Sequence, residues 1–308
     1  MPVRGSVPGV GPSLPPVLKA AATRARSAWW LARGGSSPDR RGLRILFYHR
    51  VSDDADPLAV TPRRFREHME LLAAEDYEVL GLSEAFDLLE AGRLTARTIA
   101  LNFDDGFRDV ADNAVPVLER LGFRATVFVP TGVVAGTAAF PWYSQQPPLL
   151  GWDEIVQLDR AGSLSFEAHS VTHPNLLLLS DDVSRQEIEQ SKIELEARLG
   201  RQVDAFCYPA GLFGERERAC VAAAGFRLAV TCEPGVNVPG ADPLTLRRRQ
   251  IDPRDGRLDF RAKVAGGHDT PLPLRGLYRR LRYGERRARD RRRLRRQRPA
   301  VSAERLPG

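Results

Sequence analysis

The chain has 308 residues, 43% of them hydrophobic, which is enough to build one large domain or two small ones with a full core. No apolar run approaches the ~20 residues of a membrane span. The only apolar stretch near the start, residues 28–32, is shorter than the roughly 7–15-residue core of a secretory signal, so the expected location is the cytoplasm or the cytoplasmic face of a membrane. The net charge of +7 is unevenly placed: residues 275–298 hold 13 Arg against Glu285 and Asp290, which leaves the rest of the chain at −4. A body without a basic surface argues against a specific nucleic-acid partner. The three cysteines, Cys207, Cys220 and Cys232, form no C-x-x-C pair, and their odd number argues against a disulfide framework. They read as small core residues in a reducing compartment.

Residues 1–42 are dense in Pro, Gly, Ser and Arg and read as a flexible leader. From residue 43 onward, short apolar runs alternate with amphipathic stretches. Strands are expected over residues 43–48, 98–103, 125–130, 164–168, 203–208 and 226–231, with a seventh near 244–248. Helices are expected over 62–74, 83–91, 108–121, 152–161, 182–199 and 215–224. Thr61-Pro62 reads as an N-cap followed by proline in the first turn, and Ser83 as the opening of the next helix. Gly92, Gly122, Gly162, Gly200 and Gly225 each follow a helical run, where a left-handed cap is expected. Such alternation means a parallel sheet covered by helices, either open or closed into a barrel. The body is then a domain over residues 43–267, followed by a basic tail over 268–308.

In parallel βα folds, chemistry collects at the carboxyl ends of the strands. There the sequence places Tyr48-His49, then Asp104-Asp105-Gly106, then His169-Ser170-Val171-Thr172-His173, then Tyr208-Pro209-Ala210-Gly211. The remaining histidines are His68, in an expected helix, and His268, beyond the last strand. Neighbouring strand side chains point to opposite faces, so Asp104 and Asp105 reach one site only if the chain turns there, as Gly106 permits. The alternative is a solvated turn. His169 and His173, four apart, could share one side of a helical turn and bind one metal; alone, they could equally be unrelated surface residues. Two His and one carboxylate leave coordination positions open for water and substrate. The turn at Pro209 could aim a backbone N–H at an oxyanion, or be an ordinary loop.

Together, Asn102-Phe103-Asp104-Asp105-Gly106, His169-Ser170-Val171-Thr172-His173 and Phe206-Cys207-Tyr208-Pro209-Ala210-Gly211 resemble the first three motifs of the polysaccharide deacetylases, the family-4 carbohydrate esterases with NodB homology. The order and separations match, over about residues 43–267. The resemblance implies an α/β fold, a distorted (β/α) barrel of about seven strands. It implies a hydrolase that removes N-acetyl groups from amino sugars in a polysaccharide. Asp104 would be the general base, with Asp105, His169 and His173 as ligands of a divalent metal, zinc first and cobalt or nickel next. The backbone N–H of Ala210 would be an oxyanion donor. Two departures stand out. The third motif often carries an arginine where this chain has Cys207, and no clear late Leu-x-His motif supplies the acid. The opening Ile45-Leu46-Phe47-Tyr48-His49-Arg50-Val51 resembles the exopolysaccharide, poly-N-acetylglucosamine subgroup, in which the order is permuted and this early histidine serves as the acid. His268 is the rival for that role. The stretch from Arg247-Arg248-Arg249 through Phe260 and Gly267 resembles the same subgroup.

Trp142, Tyr143 and Trp152 could form a platform for a sugar ring or simply pack in the core. Competing functions are an O-acetyl esterase, an amidase on a non-sugar amide, and a catalytically inactive carbohydrate-binding member of the family. The Arg-rich tail suits peripheral contact with an anionic membrane, with a solvated disordered segment as the alternative.

Overall fold

The computed structural model describes residues 16–35, 42–267 and 269. The strands are β1 (Arg44–Tyr48), β2 (Arg50–Val51), β3 (Ala59–Val60), β4 (Glu78–Leu80), β5 (Thr98–Asp104), β6 (Ala125–Val129), β7 (Leu164–Ala168), β8 (Ala205–Cys207), β9 (Leu228–Val230) and β10 (Arg249–Gln250). The helices are α1 (Pro16–Ala32), α2 (Pro62–Ala74), α3 (Leu82–Glu90), α4 (Val115–Leu121), α5 (Thr131–Val134), α6 (Trp152–Ala161), α7 (Asp181–Leu199), α8 (Glu215–Ala223) and α9 (Arg257–Val264).

One parallel sheet runs β10-β1-β5-β6-β7-β8-β9, and β4 also pairs with the first half of β5. The curled sheet is nearly closed by a single short segment. Leu246 pairs with Val230 of β9, while Arg249 and Gln250 pair with Leu46 and Phe47 of β1. The result is the distorted barrel that the family resemblance implies. β2 and β3 form a separate small parallel pair beside the end of β1.

Strand alternation sorts side chains into two cores. Ile45, Ala100, Phe128, Ala205, Cys207, Leu228 and Val230 form the inner cluster, and α3 packs Leu82, Ala85, Phe86 and Leu89 against it. Leu46, Tyr48, Leu101, Phe103, Val127, Phe166 and Phe206 point the other way, into the layer shared with the outer helices. Every residue of β5 is buried, as expected for a central parallel strand covered on both faces. His68 belongs to this packing. Its Nδ1 lies 3.0 Å from the Tyr48 hydroxyl, its Nε2 lies 2.9 Å from the Asp255 carbonyl oxygen, and its ring stacks on Phe260.

Local signals hold at most boundaries. Thr61 caps α2 by accepting the Arg64 N–H, and the five glycines expected at helix ends all have positive φ. α3 starts one residue before Ser83, with Gly81 as its cap. The helix expected over 108–121 begins instead as a π-helical stretch, Val110–Ala114. Pro116 lies in the first turn of α4 and has no N–H to donate, so the ladder widens ahead of it.

Three expectations need correction. Residues 1–42 are not a uniform flexible leader, because Pro16–Ala32 is a helix packed on α9. Ser27 is fully buried there and donates to Asp259 at 2.8 Å, and Trp30 packs so tightly against Gly267 that a Cβ on that glycine would sit 2.7 Å from the indole. The available signal was the helix propensity of an Ala- and Arg-rich run, not a hydrophobic period. The seventh strand lies at Arg249–Gln250, just after the expected 244–248. β4 and α9 went unforeseen, being too short to display a period. His268 and the Arg-rich tail lie outside the described residues. Among the described residues, no helix is long and apolar enough to cross a membrane.

Candidate active site

The site is built where the inner faces of β1, β5, β7 and β8 reach their carboxyl ends. Asp104 ends β5, on the same face as Ala100 and Asn102. Asp105 should then point away, but its backbone is left-handed (φ 77) and Gly106 follows at φ 71, so both carboxylates turn into one site. The histidines arrive differently from the sequence expectation. Residues 169–175 form no helix; left-handed residues at Ser170 (φ 62) and His173 (φ 56) fold the loop back on itself. Glu187, on α7, pins that loop by accepting the N–H groups of Val171 and Thr172 and the Thr172 hydroxyl at 2.7–2.9 Å. Among the described residues, three of the five non-glycine residues with positive φ, Asp105, Ser170 and His173, lie in the site, and a fourth, Ala210, lies on the turn after β8. Such conformations cost about 1–3 kcal/mol each and persist only where the surroundings impose them.

Asp105 Oδ1 stands 3.6 Å from His169 Nε2 and 3.5 Å from His173 Nε2. The three ligand atoms lie within 4.8 Å of one another. The chemistry of the set fits a divalent cation. Burial keeps both imidazoles neutral, with His169 lowered to about 4. The Cys207 carbonyl oxygen, 2.7 Å from His169 Nδ1, selects the tautomer whose Nε2 lone pair faces Asp105. Asp105 Oδ1 is buried without a hydrogen-bond partner, and burial together with Asp104 raises this carboxyl well above its ordinary pKa. A cation between these groups would satisfy the orphan oxygen and offset the like-charge repulsion.

Asp104 is stabilised in another way. Burial alone would raise its pKa, but the Arg248 guanidinium outweighs burial and holds it at about 2. The pair is bidentate, Nη1 to Oδ1 at 2.7 Å and Nη2 to Oδ2 at 2.8 Å. Arg248 is fully buried, donates its Nε–H to the Thr231 carbonyl at 2.9 Å, and lies against the rings of Phe47 and Phe128. Cys207 Sγ is 3.1 Å from Nη2. The arginine missing from the third motif is therefore supplied by the closing segment, and the small thiol leaves room for it. Sequence reading noticed Arg247-Arg248-Arg249 without assigning a role. Three adjacent arginines carry no mark of which one turns inward.

His49 follows β1, partly buried, within electrostatic reach of Asp104, Arg248 and Asp56. Burial lowers its pKa, Asp104 and Asp56 oppose that, and Arg248 reinforces it. Ala210 is exposed on a tight turn at φ 54. Of the three aromatic residues considered for a sugar platform, Trp142 reaches the site, with its ring 5.2 Å from that of His173. Tyr143 stands beside it and donates its hydroxyl to Asp56. Trp152 opens α6, packs on the outer core and is covered by Arg198.

Two outcomes follow from this geometry. Asp105→Ala, His169→Ala and His173→Ala should each lose bound metal, measured by elemental analysis of the purified protein. Near-stoichiometric metal in all three would remove the assignment. Replacing Arg248 by Met should shift the acidic limb of the kcat/KM profile to higher pH. Asp104 acts only when ionised, and without Arg248 its burial raises the pKa, so it becomes protonated over more of the acidic range. The same change leaves a buried carboxylate unpaired and should cost about 3–5 kcal/mol in unfolding free energy. An unmoved acidic limb in a folded Arg248→Met protein would mean that another group is the base.

Comparison with known proteins identifies the domain that carries this site. Residues 91–229 match the family model described as polysaccharide deacetylase. A Bacillus subtilis protein named as a polysaccharide deacetylase, YxkH, is 27% identical over 212 residues, covering 68% of this chain and 72% of that protein. The poly-beta-1,6-N-acetyl-D-glucosamine N-deacetylase of Staphylococcus epidermidis is 26% identical over 236 residues, covering 68% of this chain and 79% of its own length. The structure of the Streptococcus pyogenes deacetylase PplD, solved with acetate, superposes with a TM-score of 0.63 at 26% identity, over 75% of this chain and 99% of PplD. The matched segment holds Asp104, Asp105, His169, His173 and the Pro209 turn, whereas His49 and Arg248 lie outside it on either side. Fold and paired aspartates are in keeping with that match, and the chain carries a polysaccharide deacetylase domain.

Proposed function

We propose that the protein hydrolyses N-acetyl groups of amino sugars in an exopolysaccharide, in the manner of a poly-N-acetylglucosamine deacetylase. The observation that carries this reading is Asp104, held ionised by Arg248 directly beside the Asp105, His169 and His173 triad. An inactive carbohydrate-binding protein would have no use for a buried base at that cost. Arg248 also brings a guanidinium to Asp104 beside Cys207, where the third motif often carries an arginine.

A divalent ion on the triad, zinc first with cobalt and nickel as alternatives, would polarise the acetyl carbonyl and make water more acidic. The chain's own groups account for the remaining steps. Asp104 accepts a proton from the attacking water as the O–C bond forms at the acetyl carbon. The Ala210 N–H donates to the developing oxyanion. His49 gives a proton to the sugar nitrogen as the C–N bond breaks, releasing acetate and a free amine. That last transfer is what an amide requires, because an unprotonated amine is a poor leaving group. A polymer made at a membrane also suits action at the cytoplasmic face, with the Arg-rich tail drawn to anionic lipid at about 1 kcal/mol per Arg.

Asp104→Asn should retain its metal and lose ~10²–10⁴ in rate, since an amide cannot act as the base. Activity within a few-fold of wild type would reverse the roles of the two aspartates. For the acid, the measurement is a ratio of rates on an N-acetylated amino-sugar oligomer and on an aryl acetate, whose leaving group departs without a proton. His49→Gln should lower the amide rate ~10²–10⁴-fold and so depress the ratio sharply. Equal losses on both substrates would exclude His49 as the acid. Chelation followed by add-back of each ion, read as acetate release, tests the choice of metal.

A further inference from the structure

Arg50 directly follows the proposed acid and is buried, with its side chain 4% exposed. It faces three carboxylates: Asp109 at 2.8 Å, Asp56 at 2.9 Å and Asp54 at 2.5 Å. One cation against three anions is an expensive arrangement for packing alone, since apolar residues of similar volume usually serve stability as well or better. The partners show what it joins. Asp109 also accepts the Val51 N–H at 2.9 Å, and Asn113 donates to the Val51 carbonyl at 2.8 Å, so the backbone just after His49 is tied to the start of the π-helical stretch that follows Asp105 and Gly106. Asp56 lies in the loop between β2 and β3, where one oxygen accepts the Leu58 N–H at 2.8 Å. Its other oxygen receives both Arg50 Nη1 and the Tyr143 hydroxyl, the latter at 2.6 Å.

Tyr143 belongs to the opposite wall. Its neighbours Phe140 and Trp142 place their rings 5.5 and 5.2 Å from that of the metal-ligand candidate His173. Phe107, two residues after Asp105, bridges the halves: the Arg50 guanidinium lies 5.3 Å over its ring, and the Tyr143 ring meets its edge at 6.0 Å. The Asp56 carboxylate thus accepts hydrogen bonds both from the residue after His49 and from the aromatic loop beside His173.

We propose that Asp56 and Tyr143, clamped by Arg50, form a clasp across the cleft that positions His49 against the leaving nitrogen. They are positioning residues: neither touches the reacting atoms, and both act through the placement of His49. The proposal rests on the reading of His49 as the acid. It predicts selective damage. Loosening the clasp harms the step that needs a proton donor and spares the steps that need only the base and the ligand triad.

The experiment is the ratio of N-acetyl hydrolysis on an amino-sugar oligomer to hydrolysis of an aryl acetate. It is measured on the full chain as Tyr143→Phe, Asp56→Asn, His49→Gln and the double variant His49→Gln/Tyr143→Phe. A hydrogen bond to a charged group is worth enough that Tyr143→Phe should lower the ratio about 10-fold or more, at unchanged metal content and thermal midpoint. The double variant should be no worse than His49→Gln alone, because the clasp acts through that histidine. Tyr143→Phe removes a single oxygen and keeps the test open if Asp56→Asn folds poorly. Equal losses on both substrates in Tyr143→Phe, or no loss on either, would overturn the clasp. A depressed ratio in His49→Gln beside a normal one in Tyr143→Phe would overturn the clasp while leaving the acid assignment intact. A normal ratio in His49→Gln would remove the acid assignment itself, independently of Tyr143.

Discussion

Arg248 and Asp104 form a buried, bidentate ion pair at the carboxyl end of β5, and both the closure of the barrel and the arrangement of the site rest on it. Burying two charges is costly unless each finds well-aligned partners. Here the guanidinium donates to both Asp104 oxygens and to the Thr231 carbonyl, between the faces of Phe47 and Phe128. Arg248 can reach that point because Leu246 pairs with β9 while Arg249 and Gln250 pair with β1. Closing the sheet and pairing Asp104 are therefore one structural event. The small Cys207 side chain is part of the same solution, since a bulkier residue on β8 would occupy the space the guanidinium needs.

The second constraint is electrostatic crowding. Two adjacent carboxylates and two neutral imidazoles meet in a largely buried site, and among the described residues Asp105 Oδ1 has no hydrogen-bond partner. Arg248 neutralises one carboxylate, so a cation on the triad is what the other lacks. The left-handed backbone at Asp105, Ser170 and His173 is the local cost of aiming these groups together, and Glu187 on α7 is among the contacts that hold it in place. This division pairs Asp104 with Arg248 and leaves Asp105 beside the two histidines. Chain neighbours one residue apart thus acquire different surroundings.

Around this centre, the cleft is assembled from segments far apart in sequence. His49 comes from the first strand and Arg248 from the last closing segment, on either side of the stretch that matches the family model. The Arg50, Asp56 and Tyr143 contacts join the acid-bearing loop to the aromatic loop beside His173, so the two walls of the cleft are cross-linked by hydrogen bonds to charged groups. On the outside, α1 covers α9 and buries Ser27 against Asp259, which makes part of the Pro- and Gly-rich leader a working component of the domain.

The strand and helix order, the parallel α/β class and the residues of the candidate site were legible in the sequence. Period and capping are local properties: Pro62–Ala74, Trp152–Ala161 and Leu164–Ala168 lie where hydrophobic alternation, Thr61 and Gly162 put them. Asp104, Asp105, His169 and His173 stood out because strand ends in such folds gather chemistry and because three short motifs occur in a recognisable order. What periodicity could not display was lost, including the two-residue strand at Arg249–Gln250, the three-residue β4 and the Ala-rich α1. The two histidines do come together beside Asp105, but on a loop and not a helix, because a spacing of four suits a helical turn and is equally met by a loop with two left-handed residues. Arg248 was decided by tertiary structure alone. Whether an arginine is a solvated surface charge or the partner of a buried carboxylate depends on which strands its segment joins. That pairing is non-local, and nothing in the run Arg247-Arg248-Arg249 records it.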